Sequence, residues 1–402
     1  MRSLAGGGDG VATLDDGRAV FIPRAAAGDR LRLRSVQLHA RYARAAIDAV
    51  IVAGPGRVDP PCPHYINDRC GGCQLMHLDA PTQRAAKARI AGDALRRIGH
   101  VEIDDPPVAP PPDPFAYRTR ITLTIWRGLL GYHPLQDAVR VFDLHDCLIA
   151  RPEIREVHAV VRSHRSLLPG DGTRVAFRLD RDGGRHVVVS TPEGASAWTG
   201  AKTLHRALSD AGLAVCIWWH PAGGRPRALA GAETPWPATV FEQVHPAVGN
   251  QVRAAAIEAL GEIGGQVAWD LYAGIGETTV ALAARGAMVV SVERDRAAVA
   301  LAVTLGPAGP DRRTGSVEEV IATLPAATIV VTNPPRTGMA ASVTDALTAS
   351  TVSTIAYISC DPATLARDLQ RLAPRFRVRS VTAYDQFPQT AHLETLAILE
   401  QR

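Results

Sequence analysis

The chain has 402 residues, enough for two or three domains each with its own core, and its 46% hydrophobic and 21% charged residues are those of an ordinary globular protein. The formal net charge is +4, yet only Lys87 and Lys202 among the 44 basic residues are lysines; arginine suits forked phosphate contacts and stacking on bases, although a genomic bias toward arginine, alanine and proline produces the same count. No apolar run reaches the roughly 18 residues of a membrane span, and Met1 to Gly6 lack a secretory apolar region, which argues against a membrane protein and for the cytoplasm.

The first sixty residues read as a small all-β module, with turn signals at Gly6 to Gly10, Asp16-Gly17 and Gly28-Asp29 and strands such as Arg18 to Ile22 and Leu31 to Val36. Arg30, Arg32 and Arg34 alternate with Leu31 and Leu33, which places the guanidinium groups on one solvated face, able to follow a phosphate backbone. Three of the six cysteines, Cys62, Cys70 and Cys73, then crowd together. In a reducing compartment such crowding argues for metal rather than disulfides. The spacing fits zinc or a 4Fe–4S cluster alike and requires a fourth ligand from elsewhere.

Asp79-Ala80-Pro81 opens a helix to about Ile98 that displays Arg84, Lys87, Arg89, Arg96 and Arg97. A proline-rich break at 106–114 follows. From Tyr117 to about Ala230 the pattern is mostly strand-like, a central β-rich domain. Beyond Thr239 strands and helices alternate as in an open α/β sheet: strands at Val267 to Leu271, Met288 to Val292, Thr328 to Thr332 and Thr354 to Ile358, and a helix at Thr278 to Arg285. Chemistry in such sheets gathers at the carboxyl ends of the strands.

Asp270-Leu271-Tyr272-Ala273-Gly274-Ile275-Gly276 joins the first of these strands to the first helix, and Glu293 ends the next strand, about 20 residues on, where a carboxylate takes ribose hydroxyls. A dinucleotide fingerprint wants a third glycine at position 279, where this chain has Thr279. The loop instead resembles the class I fold that binds S-adenosylmethionine. The strand from Thr328 to Thr332 runs into Asn333-Pro334-Pro335-Arg336; an aromatic residue in place of Arg336 would resemble the amino-group methyltransferases, so an exocyclic amine target is disfavoured. Cys360 stands between the last of these strands and the helix start Asp361-Pro362, and helix N-termini favour thiolates. A carboxylate, Glu394, follows downstream.

Jointly, Phe241-Glu242-Gln243-Val244, the glycine loop, Val292-Glu293, Asn333-Pro334-Pro335-Arg336, Ile358-Ser359-Cys360 and His392-Leu393-Glu394 resemble the uracil-C5 RNA methyltransferases that make 5-methyluridine, and occur in that family's order. The resemblance implies a Rossmann-like class I methyltransferase domain over 236–402, preceded by a TRAM-like, RNA-binding β-barrel over 1–60 and a central β-rich iron–sulfur domain over 61–235, with the helix over 80–98 free to pack on the catalytic domain. It implies Cys360 as nucleophile toward uracil C6 and Glu394 as the base that removes the C5 proton. Gln243, Tyr272, Glu293 and Asn333 are the implied S-adenosylmethionine residues; asparagine stands at 333 where the family pattern has aspartate. Cys62, Cys70, Cys73 and Cys147 are the implied 4Fe–4S ligands, with Cys216 in an apolar strand as competitor for the fourth place.

The implied substrate is RNA, either 23S ribosomal RNA or tRNA, with no obligate protein partner. The basic helix from Arg84 to Arg97 and the N-terminal module are expected to grip the backbone around an extruded base. Two rivals are a catalytically weak RNA-binding or assembly factor, against which the retention of Cys360 with Glu394 argues, and a cytosine-C5 methyltransferase, which would place a second cysteine after the strand from Thr328 to Thr332.

Overall fold

Positive-φ glycines at Gly8, Gly17 and Gly28 turn the chain between its first strands. The strands are β1 (Ser3–Leu4), β2 (Gly10–Thr13), β3 (Ala19–Ile22), β4 (Arg30–Leu38) and β5 (Tyr42–Val52), and they hydrogen-bond in the order β1-β2-β3-β5-β4. Along β4 the arginines are exposed while Leu31 and Leu33 pack on Val20, Ile22 and Ala43, so the alternation in the sequence does sort charge from apolar surface. The computed structural model describes residues 2–232, 234–236 and 239–402.

A single helical turn, α1 (Pro63–Ile66), sits in the cysteine-bearing loop. The longer α2 (Ala80–Arg97) is capped by Asp79, whose Oδ1 accepts from Thr82 N at 2.8 Å, with Pro81 in the first turn, where its missing N–H costs nothing. Its polar face is not wholly solvated: Lys87 is fully buried and paired with Asp385, so the expectation that Lys87 is displayed to RNA is corrected. After β6 (Val108–Ala109) comes a second sheet of β7 (Arg120–Trp126), β8 (Leu129–Gly131), β9 (Arg174–Leu179), β10 (Arg185–Thr191), β11 (Val215–Pro221) and β12 (Arg227–Ala230), ordered β12-β11-β10-β9-β7-β8. Two helices not anticipated in this β-rich stretch, α3 (Pro152–Ser163) and α4 (Ala201–Asp210), pack Ile154, Val157, Val161, Leu204 and Leu208 against Leu123, Phe177, Val187 and Ile217. Their apolar residues recur at three- and four-residue intervals, which is a helical period.

The third sheet follows α5 (Pro246–Ala259). It comprises β13 (Val267–Leu271), α6 (Glu277–Ala284), β14 (Met288–Glu293), α7 (Arg296–Leu305), β15 (Asp311–Thr314), α8 (Val317–Val320), β16 (Ile329–Thr332), α9 (Ala341–Ala349), β17 (Thr354–Ser359), α10 (Pro362–Leu372), β18 (Phe376–Tyr384) and β19 (Glu394–Gln401). The strand order is β15-β14-β13-β16-β17-β19-β18-β6, and only β19 runs antiparallel to its neighbours. The central strands are apolar on both faces, as a sheet covered on both sides requires. Leu95 of α2, Val343 and Leu347 of α9 and Leu365, Leu369 and Leu372 of α10 cover one face; Val248, Val252 and Leu282 of α5 and α6 cover the other. The direction of strand order reverses at β13, which opens a crevice at its carboxyl end.

In space the chain divides into one unit of residues 1–59, 74–112 and 247–402 and another of residues 60–73 and 113–246. This differs from cuts near 60 and 235 in sequence: α2 and β6 belong with the third sheet because Leu95 and Ala91 enter its apolar clusters and Val108 and Ala109 pair with β18. Among the described residues, no helix is long and apolar enough to cross a membrane.

Candidate active site

β17 and β19 pair antiparallel with Ser359 opposite Thr395. The next residues beyond that pair are Cys360, just after β17, and Glu394, the first of β19, and they are near enough for Glu394 to act on the Cys360 thiol. Thr395 Oγ1 donates to Ser359 O at 2.8 Å and locks this end of the ladder. Asp361 caps α10, its Oδ1 accepting from Ala363 N at 2.9 Å and Thr364 N at 3.1 Å, so the chain leaves the strand and enters the helix with Cys360 at the junction.

Glu394 is 3% exposed. Burial raises its carboxyl from 4.5 to about 8, with the Arg336 guanidinium opposing the shift. Cys360 is half-buried, and burial first and the nearby Glu394 second push its thiol up, against the pull of Arg336, which hydrogen-bonds it. The expectation that a helix start lowers this thiol is therefore corrected: desolvation outweighs it in the resting state. Thiolate and carboxylate repel one another, so the pair rests uncharged, and Arg336 is the group that favours ionising either.

Arg336 was read in the sequence only as a missing aromatic residue. It is exposed on the turn after β16, where Gly338 N donates to Pro335 O at 2.8 Å. The turn is anchored by Asp368 of α10, fully buried, which accepts from Met339 N and Tyr357 Oη, both at 2.7 Å, and pairs with Arg367 at 2.8 Å. The available signal was a lone cation directly after two prolines at a strand's carboxyl end.

At the head of β13, Thr279 Oγ1 donates to Asp270 Oδ2 at 2.6 Å, which explains why threonine replaces a third glycine. Burial raises the Asp270 carboxyl to about 7. Glu293 accepts from Gly274 N at 2.9 Å and from Asp295 N at 2.7 Å, and stays partly exposed. Gly274 has φ 56°, and a Cβ there would meet nothing within 4 Å, so the loop borders open space. Tyr272, at φ 62°, donates from Oη to Glu318 Oε1 at 3.1 Å. The partly buried Asn333 side chain has no hydrogen bond among the described residues. Tyr272, Glu293 and Asn333 thus end or follow the adjacent strands β13, β14 and β16, as their positions in the sequence imply.

Gln243 lies in the other unit. Its segment is held there by Thr119 N donating to Val244 O at 2.9 Å and by Arg178 paired with Glu242 at 2.6 Å. The same unit holds Cys62, Cys70, Cys73 and Cys147, all free thiols, the first three buried. Burial pushes the Cys73 thiol up, and Cys147, Cys70 and Cys62 push it further, so the four are electrostatic neighbours. Among the described residues, however, no three histidine, cysteine, aspartate or glutamate side chains form a group that would hold a metal ion. Cys216 is buried on β11, its thiol raised by burial to about 11.

The strand order and glycine loop define a class I methyltransferase fold. A sequence model of the tRNA (uracil-5-)-methyltransferase family matches residues 319–402. Over 99% of its length the chain is 30% identical to a 23S rRNA (uracil(1939)-C(5))-methyltransferase, RlmD, of Thiobacillus denitrificans, of which 98% is covered. It is also 30% identical to an uncharacterized RNA methyltransferase of Gloeobacter violaceus, over all of this chain and 95% of that one. The crystal structure of Pyrococcus abyssi tRNA (uracil-54, C5)-methyltransferase in complex with S-adenosyl-L-homocysteine superposes with a TM-score of 0.73 over 99% of both chains, at 21% identity, a likeness of fold. The chain belongs to the S-adenosylmethionine-dependent RNA (uracil-C5) methyltransferases.

Proposed function

We propose that the protein methylates C5 of a specific uridine in 23S ribosomal RNA, with Cys360 as nucleophile toward C6 and Glu394 as base toward the C5 proton. The observation that supports this reading is the register that brings Cys360 and Glu394 to the same end of the β17 and β19 ladder, with Arg336 acting on both. C5 of uracil is too weakly nucleophilic to take a methyl group unaided. Once the Cys360 thiol has given its proton to solvent, the thiolate sulfur adds to C6, and the C5–C6 electron pair moves into an enolate. Bound S-adenosylmethionine supplies the electrophilic methyl group.

Glu394, as carboxylate, then takes the C5 proton. The freed pair re-forms C5–C6 and expels the sulfur, so the thiolate returns and the proton leaves through the carboxyl. A carboxyl raised to about 8 is a stronger base than an ordinary glutamate.

For the cofactor, Glu293 would take the ribose hydroxyls, with Tyr272 and Asn333 completing this side of the site. The open space at Gly274 and the partly exposed carboxylate of Glu293 suit such a ligand. Asn333 keeps an acceptor oxygen without the charge of aspartate.

The four cysteines would hold a 4Fe–4S cluster that organises the fold or the RNA surface; an all-thiolate donor set, three of its four members buried, suits it, and no catalytic step passes through it. The N-terminal strands would act as a TRAM-like RNA-binding module through the arginine face of β4. A cytoplasmic enzyme follows from such a substrate.

The near full-length likeness to a 23S enzyme favours ribosomal RNA over tRNA. Mapping 5-methyluridine in both RNAs from cells with and without the gene tests this. Loss of one 23S site is expected; loss of a tRNA site instead would reassign the substrate, and loss of none would overturn the reading.

A further inference from the structure

The nine residues leading into Glu394 form a loop that α2 helps to hold. From Asp385 to Leu393, between β18 and β19, every residue except His392 is buried, and a buried loop must find partners for its polar groups. Lys87 Nζ donates to Asp385 Oδ1 at 2.5 Å and to Phe387 O at 3.0 Å. One turn earlier on α2, Gln83 Nε2 donates to Gln389 Oε1 and Gln389 N donates to Gln83 Oε1, both at 3.0 Å. Gln74 N and Leu75 N donate to Gln389 O at 3.1 and 2.9 Å.

Gln389 is a non-glycine residue at φ 69°, a conformation that persists only where surrounding contacts enforce it. It lies five residues before Glu394, so its placement sets how the chain enters β19. The choice of lysine is also informative. In a chain whose other basic residues are arginine except for Lys202, it is a compact ammonium that fills this slot with no exposure.

We propose that Lys87 and Gln83 of α2 are positioning residues for methyl transfer, holding the 385–393 loop so that Glu394 meets the substrate's C5 proton. This rests on the reading of Glu394 as base. Lys87→Met alone leaves Asp385 buried without its ion-pair partner and is expected to fold poorly. The test therefore uses Gln83→Leu and the double variant Lys87→Met/Asp385→Leu, beside Glu394→Gln, in the full-length protein.

For folded variants that bind S-adenosylmethionine within about twofold of the parent, kcat should fall at least tenfold with KM for RNA within about twofold. The methylated covalent RNA complex should accumulate as it does in Glu394→Gln, and the pH–rate profile should shift. Folded variants with kcat within twofold of the parent and no accumulated complex would overturn the positioning role. If Glu394→Gln itself accumulates no complex, the base assignment falls and the inference with it; if Glu394→Gln accumulates it and the α2 variants do not, the inference falls alone.

Discussion

Replacing Glu394 by glutamine should disable the enzyme and stabilise the protein, and the size of the second effect follows from its burial. In the folded chain the carboxyl titrates near 8, against 4.5 ordinarily. A raised carboxyl pKa means that the folded state holds the proton more tightly than the unfolded state, so stability is full below about pH 4.5 and declines as pH rises through about 8. At pH 7 the folded chain forgoes 2.5 pH units of ionisation, about 3 kcal/mol at 1.36 kcal/mol per unit. Glutamine is near-isosteric and never ionises. Glu394→Gln should therefore exceed the parent by about 3 kcal/mol at pH 7 and by less than about 1 kcal/mol at pH 5. Denaturant midpoints at the two pH values measure the gap. A variant no more stable than the parent at pH 7, or a gap that does not shrink at pH 5, would refute the account of Glu394 as a carboxyl kept protonated by burial.

Cys360→Ala should abolish both turnover and the covalent complex with RNA carrying 5-fluorouridine; an adduct that survives would remove Cys360 from its role. Because both the thiol and the carboxyl are raised and both act deprotonated, the single-turnover rate should climb with pH through about 8, where the carboxyl titrates, and go on climbing beyond it as the raised thiol ionises. A rate independent of pH between 6 and 9 would contradict this. Arg336→Gln removes a cation that favours ionising both groups, so the same profile should move to higher pH, read by single-turnover kinetics. Glu293→Ala should weaken S-adenosylmethionine at least tenfold by calorimetry with the fold intact. Anaerobically purified protein should be brown and lose its colour in Cys70→Ser; a colourless parent containing zinc would exclude the iron–sulfur reading.

Much of the catalytic fold was legible because parallel strands buried on both faces are short apolar runs flanked by turns. Val267–Leu271 falls where its pattern predicts, and β14, β16 and β17 fall within a residue of theirs. Order along the chain also singled out Cys360 and Glu394 as candidates, through a family resemblance together with the place of Cys360 between a strand and a helix start. The central stretch was less legible, since α3 and α4 are short helices whose few apolar residues sit among strand-forming neighbours. Lys87 was misread for a different reason: a lysine on a polar helix looks solvated unless the sequence reveals Asp385, some three hundred residues away, as its partner.

By itself the sequence determined the alternation of strands and helices, the glycine loop with Glu293 behind it, and which thiol stands at a strand's end, because these depend on residues near one another in the chain. Only the tertiary structure decided that Cys360 and Glu394 come to the same end of one ladder, that Arg336 acts on both, and that burial raises both thiol and carboxyl. Those outcomes depend on strand register and on the loss of water around groups distant in sequence, and desolvation is a property of a place in the fold rather than of a residue.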